Sequence, residues 1–272
     1  MRHRIAPTLK EPTMTQAFLI EQPIWQLNEP NPELRWEMGV VEDDPSEDDE
    51  HRPRKGVHIL HERQRQRGED APPDKIPWTR LSRDTLVAGV LSDDARVADR
   101  PWHRVALVSG AGLGKTANLQ WLASQVNAHE DSRGRLLAIF THLRNLPAGP
   151  EPSQQLPEFV KHVLQERADD RHKDRLAELA LRLLKQGRVL FLLDSLDEAG
   201  AWEDSPTMNK LKPLLSGHWK DNPVWISGRP YAFRATEKVL CEMVPTAQWN
   251  FLRIGPLNEP EARQLIETAG RV

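Results

Sequence analysis

A single cysteine, Cys241, stands in the whole chain of 272 residues. That excludes an internal disulfide framework and suits a reducing cytosol. Long apolar runs are missing too: none approaches the ~20 residues needed to cross a bilayer. The basic start Met1-Arg2-His3-Arg4 is followed by no apolar stretch of signal-peptide length. Neither sign of charge is in large excess, the formal net charge being −3. No global field therefore points to nucleic acid or to an anionic membrane. Metal-ligand clusters are scarce, and His58-x-x-His61 has no cysteine or further histidine at zinc spacing. Apolar residues amount to 38%, and charged ones to 28%, a thin supply of core that is thinnest in the first third. The expectation is a cytoplasmic protein with no membrane and no nucleic-acid partner.

The length fits one large domain, or one domain with a poorly folded extension. Residues 1–76 read as a low-order, charge-patterned extension, and 77–272 as the folded domain. Prolines at 7, 12, 23, 30, 32, 45, 53, 72 and 73 interrupt any helix in the first segment. Glu42 to Glu50 carries seven acidic side chains, and a basic stretch from Arg52 through Arg67 follows. Such blocks read as solvated linker, with an electrostatic docking strip as the alternative. Trp25 and Trp36 are unusual there, and suit either packing onto the domain or anchoring a partner.

Beyond Pro77 the pattern becomes periodic. Short apolar runs at 105–108, 136–140, 189–193, 224–226 and 251–254 have strand length. Between them, Leu119, Leu122, Ala123 and Val126 share one helical face, as do Phe159, Val160, Val163 and Leu164. A third stripe, Leu176, Leu179, Ala180, Leu183 and Leu184, stops at Gly187. A last helix is expected from Asn258, with Ala262, Leu265, Ile266 and Ala269 on one face. This alternation predicts an α/β fold, a parallel five-stranded sheet with helices on both faces, after a largely irregular N-terminal extension. No internal repeat is present.

Three stretches carry chemistry. The first is Val105-Ala-Leu-Val-Ser-Gly110-Ala111-Gly112-Leu113-Gly114-Lys115-Thr116. A strand-length run enters a glycine-rich turn and then Gly-Lys-Thr, the P-loop pattern. Glycines at 110, 112 and 114 are expected to let backbone N–H groups converge on β- and γ-phosphates without Cβ collisions. Lys115 adds a point charge, and the Thr116 hydroxyl suits Mg2+. Ser109 takes the place of the first glycine of the usual pattern, a small-for-small change that the loop should survive. The second stretch, Val189 to Ala199, is an apolar strand ending in Asp194, the Walker-B position for holding Mg2+, with Asp197 and Glu198 close behind to orient or deprotonate a water. The third, Val224-Trp-Ile-Ser-Gly-Arg229-Pro230, sets Arg229 just past a strand end, where ligands collect on a parallel sheet. A guanidinium there suits reading a γ-phosphate.

In this order, and with Ile254-Gly-Pro-Leu-Asn-Glu259 before a helix, these motifs resemble the NACHT domain of the STAND class of P-loop NTPases over about residues 100–270. The resemblance maps the family's small residue after the metal-binding aspartate onto Ser195, its further acids onto Asp197 and Glu198, and its sensor arginine onto Arg229. Gly228 stands where the family more often has Ser or Thr. What the resemblance implies is a signalling switch that rests with ADP, exchanges it for ATP with Mg2+, and oligomerises to act on an effector, often in defence. Family members continue into helical, winged-helix and repeat regions, whereas this sequence stops at Val272. The expectation is a fragment of a larger sensor, or a minimal form working with a partner protein.

Three rival readings stay open at this level. Asp197-Glu-Ala-Gly200 matches the D-x-x-G of GTPase switches, yet no Asn-Lys-x-Asp or Thr-Lys-x-Asp follows, and Asn209-Lys-Leu-Lys212 lacks the aspartate. The strand at 136–140, between the P-loop and Walker-B strands, also suits the ATPase lineage. A non-hydrolysing nucleotide-bound scaffold is a second alternative. A AAA+ motor is disfavoured, because Ser195 occupies the place of its catalytic glutamate.

Overall fold

The computed structural model describes residues 24–27, 78–92, 102–129, 136–147, 152–167, 173–198, 206–255 and 263. In chain order the strands are β1 (Ile24–Leu27), β2 (Trp78–Leu81), β3 (Arg104–Val108), β4 (Leu137–His142), β5 (Val189–Asp194), β6 (Val224–Gly228) and β7 (Asn250–Ile254). The helices are α1 (Arg83–Leu91), α2 (Lys115–Ala128), α3 (Pro152–Arg167), α4 (Lys173–Lys185), α5 (Pro206–Leu215) and α6 (Pro230–Met243). One sheet holds the seven strands of the described residues in the order β2-β1-β7-β3-β6-β5-β4. The five strands from β7 to β4 run parallel. They are the five expected from the sequence.

The period-two pattern of those strands divides the core. Ala106, Val108, Phe191, Leu193, Ile226 and Phe251 face a cluster completed by α3, α4, α5 and α6. Val105, Leu107, Leu190, Leu192, Trp225 and Leu252 face the opposite cluster under α1 and α2. Both faces are thus dry, which is why these strands read as continuous apolar runs and not as alternating ones. Leu119, Leu122, Ala123 and Val126 of α2 are all buried, as their spacing predicts. Fully burying one leucine or valine of this set contributes about 1.5–3 kcal/mol.

Polar clamps close the end of the sheet away from the strand C-termini. The Arg104 guanidinium is buried and donates to the carbonyls of His103, Asn222, Leu214 and Lys220. Burial pushes it down to about 10, and Asp221 opposes the shift. Asn222, also buried, accepts from the Val189 N–H and donates to the carbonyls of Leu184 and Trp219.

Two features depart from the expectation. No strand is expected before Pro77, yet β1 pairs antiparallel with both β7 and β2. Four residues are too few to show a period, and β1 gains its order from pairing on both edges and from Ile24, which joins the core under α1 and α2. The Trp25 backbone lies in β1, whereas its side chain, Trp36, His58, His61 and the charged blocks fall outside the described residues. So does the helix expected from Asn258, apart from Arg263. Second, β4 lies between the P-loop and Walker-B strands in sequence only. In the sheet it is the edge strand, and β6 separates β3 from β5. That placement builds the site.

Candidate nucleotide site

Three adjacent strands, β3, β6 and β5, deliver their C-terminal ends to one place. Parallel strands bring their following loops to the same edge, where α/β folds take ligands. From β3 comes the loop 109–114, which runs into α2. Gly112 and Gly114 hold φ of 71° and 75°, a conformation that costs any other residue. Within the protein itself a Cβ on Gly112 would meet nothing within 4 Å, and one on Gly110 would stand 3.6 Å from Leu113. The glycines at 112 and 114 are thus favoured by backbone angle. Ala111 and Leu113 complete the loop. Ser109 is buried, and its hydroxyl donates to the Ile254 carbonyl at 3.2 Å, tying the loop to the end of β7.

Lys115 donates from Nζ to the carbonyls of Ser109 at 3.0 Å and Gly110 at 2.7 Å. Burial lowers its pKa below the ordinary 10.5. Asp197, Asp194 and Glu198 oppose that shift, and Arg229 reinforces it. The Thr116 hydroxyl donates to Oδ2 of Asp194 at 2.6 Å. Its lone pairs are left free for a cation, and hydroxyl with carboxylate is a hard oxygen pair of the kind Mg2+ selects. Among the described residues no group of three His, Cys, Asp or Glu could hold a metal ion. The residues present fit a cation shared with phosphate oxygens, held by Thr116 and Asp194.

Asp194 is wholly buried. Such a carboxylate needs donors, and Ser227 at the end of β6 supplies one to Oδ1. The same Ser227 oxygen accepts the Ser195 N–H at 3.2 Å. Ser195 has a φ of 67°, the one described non-glycine residue with positive φ. A β-branched or bulky side chain is disfavoured at such an angle, which accounts for a small residue directly after Asp194. Gly228 has its own reason: a Cβ would come within 2.9 Å of Leu196 Cβ and 3.1 Å of a Phe233 ring carbon.

Asp197 and Arg229 meet across this gap. The Arg229 Nε lies 3.0 Å from Asp197 Oδ2, close enough for an ion pair though not aligned as a hydrogen bond. The Arg229 backbone N–H donates to Oδ1 at 3.3 Å. Arg229 is extended, φ −82° and ψ 155°, and Pro230 opens α6 behind it. Glu198 is exposed. Sequence reasoning missed Ser227 and His142. The ring Nδ1 of His142, at the end of β4, stands 3.6 Å from Asp194 Oδ2. Ser227 lies within the third stretch, but a serine inside an apolar strand carries no signal of its own, and His142 belongs to no spacing motif. Only the strand order places them.

Among the described residues no helix is long and apolar enough to cross a membrane. No individual curated protein matches the chain. The family model described as the NACHT domain matches residues 103–271, from the residue before β3 to the penultimate residue of the sequence. With more than half of its length matched and its P-loop, Walker-B and arginine stretches converging on one edge of a parallel sheet, the chain belongs to the NACHT domain family of nucleotide-binding P-loop NTPases.

Proposed function

We propose that the chain is a signalling switch that binds ATP and ADP with Mg2+ and hydrolyses ATP slowly. The observation that carries the reading is the arrival of Lys115, the Thr116–Asp194 pair and the Asp197–Arg229 pair at the ends of three neighbouring strands. In this reading the backbone from Gly110 to Gly114 and the Lys115 ammonium cradle the phosphates. Thr116 and Asp194 would hold the cation, which when bound would neutralise phosphate charge. Glu198, exposed at the rim, orients the attacking water. Asp197, expected from sequence to share that work, has its carboxylate turned to Arg229, which favours a restraining role. Arg229 then discriminates ATP from ADP, because only the triphosphate offers it a γ-phosphate in exchange for Asp197.

ATP is favoured over GTP because Asn209 and Lys210, the nearest approach to a guanine-reading motif, lie within α5. There the Lys210 ammonium donates to the Arg144 carbonyl at 2.6 Å. A cytoplasmic location, a role in defence or stress signalling, and either homo-oligomerisation or a partner protein supplying sensor or effector belong to the same proposal, supported by the family. Competition of ATP and GTP for one fluorescent ATP analogue, with steady-state phosphate release for wild type and Glu198→Gln, tests it. The expected result is ATP preference, and slow turnover that Glu198→Gln reduces without loss of binding. Tight binding with no turnover would replace the slow ATPase by a scaffold. Preference for GTP would overturn the reading.

A further inference from the structure

β4 and β5 pair in parallel with His142 directly opposite Asp194. Side chains at paired positions leave the same face of a sheet, so the imidazole lies alongside the carboxylate. Its Nδ1 is buried, makes no hydrogen bond, and sits 3.6 Å from Oδ2. The ring packs edge-on against Phe140, centroids 5.7 Å apart, and about a third of the side chain (33%) remains exposed. Oδ1 and Oδ2 already accept from Ser227 and Thr116. Thus the fully buried carboxylate, already held by two hydroxyls, has a third polar group beside it, an imidazole nitrogen that is close but not engaged. A purely structural histidine in this place would have its buried nitrogen satisfied.

We propose that His142 is a positioning residue of the divalent-cation site, acting through Asp194. With hydrogen on Nδ1, it supplies the donor that fixes Oδ2 when the cation draws on the Thr116–Asp194 pair. Partners of metal-binding carboxylates tune affinity in this way, and removing one typically costs about 10–100-fold. The inference rests on the proposed binding of nucleotide with a divalent cation.

The test measures binding of a fluorescent ATP analogue across a Mg2+ titration, for wild type, His142→Ala and His142→Asn. Binding of the matching ADP analogue in EDTA is measured alongside. His142→Ala should raise the Mg2+ concentration for half-maximal ATP binding by about 10–100-fold. His142→Asn, whose amide can present an N–H near the place of Nδ1, should recover most of that loss. Metal-free ADP binding should be the same in all three. An unchanged Mg2+ requirement in His142→Ala would overturn the proposal. So would an Asn variant as defective as Ala, or an equal loss of metal-free ADP binding, since either marks a merely structural residue. A wild-type protein whose ATP binding ignores Mg2+ would instead remove the underlying reading of the site.

Discussion

Asp197→Asn separates a latch on Arg229 from a catalytic acid. The substitution removes the negative charge facing the guanidinium and keeps an oxygen for the Arg229 backbone N–H, so the turn that carries Arg229 stays in place. At the observed 3.0 Å, a unit pair is worth about 5.5 kcal/mol at an effective dielectric of 20 and about 1.4 kcal/mol in bulk water. Asp197 is nearly buried, with 6% of its side chain exposed, but Arg229 is 43% exposed. Solvent screening therefore pulls the value toward the lower limit, about 1–2 kcal/mol. If ATP must draw Arg229 away from Asp197, that energy is subtracted from ATP binding and not from ADP binding. Releasing it should tighten ATP by about 5–30-fold relative to ADP. Removing one negative charge near the phosphates helps both nucleotides, so the ratio is the informative quantity. The assay is a pair of dissociation constants, for a non-hydrolysable ATP analogue and for ADP, at equal Mg2+ and salt. Equal tightening of both would refute the latch. So would a collapse in turnover with unchanged selectivity, which would assign Asp197 to the water.

Four further outcomes are expected. Lys115→Ala should abolish measurable MgATP binding by calorimetry while the melting curve stays cooperative, because the ammonium contacts loop carbonyls and no core side chain. Triphosphate affinity should fall as pH rises through the lowered pKa of Lys115, before the ordinary 10.5 is reached. Over that window the unliganded fold binds fewer protons than the unfolded chain, so its contribution to stability rises with pH, the opposite sign to binding. Ser227→Ala removes a donor from the buried Asp194 and an acceptor from Ser195, and should cost about 1–3 kcal/mol in urea unfolding. Arg104→Met strips four carbonyls of one shared donor, with an expected loss of about 2–5 kcal/mol by the same measurement and little change in nucleotide affinity.

The parts of this molecule that could be read from the chain are those in which chemistry and period coincide in one stretch. Lys115, Thr116 and Asp194 announce themselves because a glycine-rich turn and a strand-ending acid are local patterns. Arg229 was legible for the same reason, through the Pro230 that holds it extended. Its partner was not: Asp197 is 32 residues away in sequence, and nothing in either stretch says that β6 slots between β3 and β5. Ser227 and His142 were invisible on the same ground, since their meaning arises from lateral strand order. Ser109 shows a subtler limit. Its tolerance in place of glycine follows from size, but the bond from its hydroxyl to Ile254 could be found only once β7 lay beside β3. β1 was illegible because its order is borrowed from two neighbours.

Asn127, near the end of α2, reaches the outermost strand, where its amide accepts from the Ala138 N–H and donates to the Ala138 carbonyl, both at 2.9 Å. A side chain thereby imitates the rung that another strand would contribute. β4 is one border of the sheet, and exposed borders invite edge-to-edge zipping between copies. Any strand seeking to extend the sheet past β4 must first evict this amide and leave it without partners. The border strand is therefore already stopped at Ala138 by a side chain of its own domain.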